Sequence, residues 1–194
     1  MRLHERLTHH RPADEREAAD LRRILSFVAR HPQPFDRRIS AGHLTGSAVV
    51  LSDAGDRVLL LRHRKLARWL QPGGHGDPGE TTGEEVALRE AREETGIRGL
   101  LLHPTAPRPL DVDIHVIPAR RDEVAHEHLD LRYLVLAPPG AEPSRSMREA
   151  RAARWFAWSE LGRLGLDPGL QRALRKARLL LVDPRRVPST AFPA

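Results

Sequence analysis

A glycine-rich stretch, Gly73-Gly74-His75-Gly76-Asp77-Pro78-Gly79-Glu80, is followed closely by Arg89-Glu90-Ala91-Arg92-Glu93-Glu94-Thr95-Gly96. If the second stretch is helical, Glu90, Glu93 and Glu94 stand at i, i+3 and i+4 and share one face. They fall in the last turns, where the helix dipole is negative and each uncompensated acid costs about 0.3–1 kcal/mol. Repulsion between like charges one turn apart adds roughly a few tenths of a kcal/mol. Acids gathered where the backbone disfavours them fit a cation-binding face. The bland alternative is a solvated face with Arg89 and Arg92 as partners.

The flanking residues supply the helix. Thr81 with Glu84 and Thr82 with Glu85 are both capping-box pairs, and Val86, Ala87, Leu88 and Ala91 form an apolar side. Gly96 is suited to the left-handed position that ends a helix. The pattern predicts a helix over about 82–95.

Other segments read as strands: 44–52, returning through the turn 53–56 as 57–62, then 100–103, 110–117, 128–137 and 154–158. Ser159 is placed to cap a helical turn near Leu161. Asp167-Pro168 opens a last helix to about Leu181, the proline standing at the first helical position. Residues 14–30 place Ala18, Leu21, Leu25 and Val28 on one stripe with Ile24 beside it, and His31-Pro32-Gln33-Pro34 stops that helix. Strands interspersed with helices indicate an α/β (α+β) sandwich rather than a bundle. The expected organisation is an N-terminal helical extension over 1–40, a main α/β domain over 41–165, and a C-terminal helix with a mobile tail over 166–194.

Composition bounds the partners. The 194 residues carry a formal charge of +6, mostly from arginine. Arginine suits planar phosphate contacts, so either a polyanion or a phosphorylated small substrate would fit. The basic residues form no block or stripe, and aromatics at 4% leave little for base stacking, which argues against nucleic acid. The chain has no cysteine, hence no disulfide, thiolate metal site or cysteine nucleophile. No apolar run approaches the ~20 residues of a membrane span, and the charged N-terminus lacks a signal core. Cytoplasmic is the default expectation for localisation, and a homodimer is left open.

The segment from Gly74 to Ile97 resembles the Nudix box, G-x5-E-x7-R-E-U-x-E-E-x-G-U with U a bulky aliphatic residue. Gly74 and Glu80 match its opening; Arg89, Glu90, Glu93, Glu94, Gly96 and Ile97 match its close. There are two departures: eight residues separate Glu80 from Arg89, and Ala91 stands where a larger aliphatic is usual. The extra residue belongs in the loop 81–83, because an insertion inside the helix would rotate everything after it by ~100°. Trp69-Leu70-Gln71-Pro72 also resembles the family's approach to the box. Glu149, six residues before Trp155, resembles the distal acid of some members.

The resemblance implies a Nudix-like α/β/α sandwich with a mixed central sheet. It implies Mg²⁺-dependent hydrolysis of a diphosphate linkage in a nucleoside diphosphate linked to X, with Mn²⁺ as a substitute. Glu93 and Glu94 would be the principal metal ligands, with Glu90 and the Gly74 carbonyl completing the set. Arg89 would orient Glu80 or Glu93, and Glu90 or Glu149 would be general base. A Nudix-fold nucleotide sensor with little hydrolysis is the alternative. An isoprenoid diphosphate isomerase of similar box depends on a cysteine that this chain lacks.

A second polar set lies outside the box. Asp111, Asp113 and His115 alternate with apolar residues in one strand, as do His126, His128, Asp130 and Arg132 in another. If the strands pair, these residues share a face. Three readings stay open: a solvent-exposed sheet face, the wall that recognises X (His75, Asp113, His115, His128, Asp130 and Arg132), or a transition-metal site.

Overall fold

β-Branched and leucine-rich runs form the strands, and amphipathic segments form the helices that cover them. A computed structural model describes residues 3–64, 66–119, 124–144 and 150–182. The elements are α1 (Leu3–Thr8), α2 (Glu15–Arg30), β1 (Gly42–Leu51), β2 (Arg57–His63), β3 (Trp69–Leu70), β4 (Gly73–His75), α3 (Gly83–Thr95), β5 (Leu101–Leu102), β6 (Asp111–Ile117), β7 (His126–Leu136), β8 (Ala150–Ala157) and α4 (Pro168–Val182). A 3-10 turn, Leu161–Arg163, precedes α4, and its cap is Glu160 rather than Ser159. The tail beyond residue 182 and Glu149 lie outside the described residues.

The sheet is mixed and has eight strands. β3, β2, β1, β7 and β5 follow one another, while β4 joins β1, β6 joins β7 and β8 joins β2. β1 and β7 pair in parallel from Gly42 opposite Glu127 to Leu51 opposite Leu136; the remaining pairs are antiparallel. Alternation along β7 then sorts the core into two layers. Leu129, Leu131, Tyr133 and Val135 pack with Leu21, Ile24 and Phe27 of α2 and with Val86, Ala87 and Ala91 of α3. On the other face Leu134 packs with Leu170, Ala173 and Leu174 of α4.

α3 sits unusually close to β1. A side chain at Gly46 would meet the Gly83 carbonyl at 2.6 Å and the Ala87 nitrogen at 2.8 Å. Ala87 and Ala91 are fully buried in this contact layer. A small residue at 91 therefore suits the spacing, which accounts for the departure from a bulky aliphatic. The helix ends as expected, with Gly96 left-handed at φ 68°. Its start differs: Thr82 is the N-cap, but its hydroxyl donates to Glu85 Oε2 at 2.6 Å instead of accepting a backbone N–H.

α2 buries a different stripe from the apolar one expected. Glu17 and Asp20 are buried alongside Leu21, Ile24 and Phe27, while Leu25 and Val28 are only partly covered. The two acids serve the free edge of β6. Val112 N donates to Glu17 Oε1 and Ile114 N to Asp20 Oδ2, each at 3.3 Å. An exposed strand edge is thereby closed by side chains of a helix.

Candidate active site

β4 carries Gly73, Gly74 and His75 into register with Ser47, Gly46 and Thr45 of β1. That pairing turns most of the expected loop start into a strand and presents it to the last turns of α3. Gly73 N donates to Glu94 Oε2 at 2.9 Å. A side chain on Gly74 would meet the Glu90 carboxylate where it now lies, so glycine lets that carboxylate come up against the strand. Glu93, further round the helix, is 60% exposed. The three acids thus share one face, with Glu94 and Glu90 against the strand and Glu93 at the rim.

Arg89 binds the arrangement together. Its Nε and Nη2 donate to Glu80 Oε1 and Oε2, both at 3.0 Å, a two-point fork of the kind guanidinium forms with carboxylate. Nη2 also donates to the His75 carbonyl at 2.7 Å, and Nη1 to Glu90 Oε1 at 3.0 Å. A weaker contact reaches Glu93 Oε2 at 3.4 Å. Burial alone would raise the Glu80 carboxyl, but the Arg89 fork and the Asp77 N–H outweigh it and hold the group below its ordinary value. The Glu80 hydrogen bond does most to raise Arg89, against partial burial, with Glu90 adding to it. α3 runs without interruption from Gly83 to Thr95 despite the extra residue between Glu80 and Arg89. Glu80 still reaches Arg89.

The donor set fits a hard divalent cation. Glu90, Glu93 and Glu94 offer only oxygens, two of them beside a strand whose glycine leaves room for the carboxylate. At the far end of the same helix, Arg6 of α1 is ion-paired with Glu84, which ties the N-terminal helices to the box.

The second polar set is brought together, since His115 pairs with His128, Asp113 with Asp130 and Asp111 with Arg132. The face is not solvent-exposed, however. Asp111, Asp113, Asp130 and Arg132 are all at most 3% exposed. Arg132 donates Nε to Asp130 Oδ2 and Nη1 to Asp111 Oδ1, each at 3.1 Å, and its Nη2 lies 3.2 Å from Asp113 Oδ2. Asp130 Oδ1 also accepts from Thr45 and Ser47 at 2.9 and 2.8 Å. Arg172 of α4 donates Nε to Asp111 Oδ2 at 2.7 Å and Nη2 to the Val112 carbonyl at 2.7 Å. Buried charges of both signs thus satisfy one another, as buried ions must. Asp113, Asp130 and Arg132 have their hydrogen-bonding groups turned to this network rather than to an open wall. His75, His115 and His128 remain at its end, beside His126 and a residue the sequence reading passed over, His43. No motif marks it in the sequence; the parallel register of β1 on β7 sets His43 opposite His128, two residues from Thr45. Two surface grooves, beside Arg22, Arg23 and Arg30 of α2 and between His10 and Leu180, lie away from the box.

Among the described residues no helix is long and apolar enough to cross a membrane. A family model described as the NUDIX domain matches residues 42–177. A Mycobacterium tuberculosis protein provisionally named 8-oxo-dGTP diphosphatase 3 is 31% identical over 129 residues, covering 64% of this chain and 55% of that protein. A Bacillus subtilis protein provisionally named 8-oxo-dGTP diphosphatase is 39% identical over 56 residues, covering 29% of this chain and 37% of that one. The chain spans about half the length, or less, of these curated relatives. Among solved structures, a NUDIX family hydrolase from Clostridium perfringens aligns at TM-score 0.53 and 26% identity, covering 71% of this chain and 97% of that one. A C. elegans Ap4A hydrolase aligns at TM-score 0.53 and 21% identity, covering 72% and 97%, which is a likeness of fold.

Proposed function

The chain belongs to the Nudix family, and on that premise we propose that it hydrolyses a diphosphate linkage in a nucleotide-type substrate, a nucleoside diphosphate linked to X, with Mg²⁺. The observation that carries this reading is the Glu90–Glu93–Glu94 face held against Gly73 and Gly74 by Arg89 and the Gly73 N–H. Such a face is costly for the helix and useful to a cation.

Glu93 and Glu94 would be the principal ligands, with Glu90 and the Gly74 carbonyl joining them. When bound, Mg²⁺ supplies charge neutralisation of the diphosphate and orientation of the attacking water. The chain's own contribution is positional. Arg89 takes its place among five acceptors, so it acts as a positioning residue for Glu80 and Glu90 rather than a substrate contact. Glu80 would lock the loop 77–80 to the helix through Arg89 and the Asp77 N–H. Glu90, beside Arg89 and close to Gly74, is the general base in this reading; Glu149, the other candidate, lies outside the described residues.

The substrate panel begins with oxidised guanine nucleoside triphosphates, the class in the names of the Mycobacterium and Bacillus relatives, followed by dinucleoside polyphosphates and nucleotide sugars. The test is release of orthophosphate, pyrophosphate or a nucleoside monophosphate with Mg²⁺ or Mn²⁺, against an EDTA blank. Metal-dependent turnover of at least one nucleotide supports the reading. Tight nucleotide binding without turnover across the panel would replace it with the sensor.

A further inference from the structure

Four imidazoles converge at the end of the sheet: His43 from β1, His75 from β4, and His126 and His128 from β7. One ligand-competent nitrogen from each lies within 4.8 Å of the others. His75 Nε2 and His128 Nε2 are 3.0 Å apart, and His126 Nε2 and His128 Nε2 are 3.3 Å apart. The rings surround a common point, with His43 about equally far from the other three at centroid distances of 5.0, 5.1 and 5.1 Å. We infer that these four histidines form a binding site for a borderline divalent transition metal, Zn²⁺ above all, separate from the carboxylate face of α3.

The spacing approaches that of a tetrahedron. With Zn–N bonds of 2.0–2.1 Å, neighbouring ligand nitrogens stand about 3.3–3.4 Å apart. Two of the contacts are already near this value, and side-chain rotations of roughly 1 Å or less would bring in the rest. Hydrogen bonding explains the cluster less well. His128 Nε2 has either one lone pair or one hydrogen, so it cannot make good hydrogen bonds to His75 and His126 at once. A cation accepts every lone pair together.

The surroundings select the metal-binding form of the rings. His126 Nδ1 lies 3.0 Å from the Val124 carbonyl, so it carries the proton, and Nε2 presents its lone pair to the cluster. The fifth imidazole nearby, His115, is turned toward Asp113, with Nδ1 3.4 Å from Oδ2, and is not counted as a ligand. Four imidazole nitrogens suit Zn²⁺, Ni²⁺, Co²⁺ or Cu²⁺ and are poor partners for Mg²⁺.

The site is distinct from the acidic face by construction. Gly74 and His75 are consecutive in β4, so they look toward opposite sides of the sheet. Gly74 faces Glu90, whereas His75 faces the side of Thr45, Asp130 and His128. A closed set of four protein ligands leaves no position for water, the arrangement of a structural site. Bound metal would pin β4 to β1 and β7, and so fix the strand that carries Gly73 and Gly74.

The test uses the full chain without a polyhistidine tag, stripped of metal and titrated with Co²⁺ and Zn²⁺. The expected result is one equivalent bound, with the visible absorption band of tetrahedral Co²⁺ bleached by Zn²⁺, and a rise in Tm with Zn²⁺. Glu94→Gln and His115→Gln should keep the band; His126→Gln and His43→Gln should lose it while circular dichroism in EDTA stays unchanged. Wild-type protein that yields no saturating tetrahedral band overturns the site, whatever the variants do. A band that survives His126→Gln and His43→Gln but disappears in Glu94→Gln would move the metal to the acidic face and overturn it equally.

Discussion

Arg89 and Glu80 are joined at two points, Nε to Oε1 and Nη2 to Oε2, both at 3.0 Å, across the stretch that holds the extra residue of the box. The same guanidinium reaches Glu90 and the His75 carbonyl. One side chain therefore fixes the loop, the strand and the acidic face relative to one another.

Arg89→Lys keeps the charge but replaces a planar fork with a point donor, which cannot serve these acceptors together. The expected effect is a fall in kcat of about 10-fold or more with KM little changed. Arg89 is 23% exposed, so the loss of stability should stay near about 1 kcal/mol. Steady-state kinetics with a thermal melt checks both. Unchanged kcat would show that Arg89 is not positioning the acids.

Gly74→Ala should damage the site more than the fold. The added methyl enters the space of the Glu90 carboxylate, which must swing away or push β4 off α3. Because the atoms met are the end of a flexible side chain, the stability cost should stay below about 1 kcal/mol, under the range for overpacking a rigid core. Turnover should drop by at least about 10-fold. A variant with wild-type turnover would mean that Glu90 does its work elsewhere than against Gly74.

The helix–acid pattern and the strands of the sheet were legible because they rest on local periodicity and capping. Gly96 and the stop of α2 at His31 follow from such patterns, whereas the pairing of Asp113 with Asp130 was only a condition on which the second polar set would share a face. What escaped was long-range. Glu17 and Asp20 look like surface acids of an amphipathic helix until β6 offers them its free N–H groups. Asp113, Asp130 and Arg132 alternate like an exposed face, and only α4, by bringing Arg172, shows that they are sealed. His43 had no motif around it; the parallel register of β1 on β7 places it among the other histidines. The short strand β4 hides in a glycine run, where side-chain patterns carry no information.

Stability should fall in acid through Glu17. Burial would raise this carboxyl, but His10, Lys176 and the Ala13 N–H lower it from 4.5 to about 2. A carboxyl lowered in the folded state contributes stability that is present above the unfolded value and lost as pH falls through the folded one. Its window is therefore about pH 4.5 down to 2, with a contribution on the order of 2–3 kcal/mol. Denaturant melts of wild type and Glu17→Gln from pH 7 to 2 test this. Glu17→Gln should be less stable at pH 7, and the two curves should converge in acid; parallel curves would contradict the assignment.

Arg172→Met removes a guanidinium that is 2% exposed and leaves Asp111 and Asp113 short of a partner. Breaking a buried pair from one side costs about 3–5 kcal/mol. Chemical denaturation should show that loss. A change below about 1 kcal/mol would mean that Arg132 alone satisfies the aspartates.

The most direct test of the account replaces one acid of the face. Glu94→Gln keeps the size and helical fit of the side chain and removes the charge that Gly73 N–H holds in place. With Mg²⁺ and the best nucleotide of the panel, hydrolysis should fall at least about 100-fold, roughly 3 kcal/mol of transition-state stabilisation, while circular dichroism and Tm stay close to wild type. A folded Glu94→Gln protein that still hydrolyses the nucleotide at near wild-type rate would contradict the central claim.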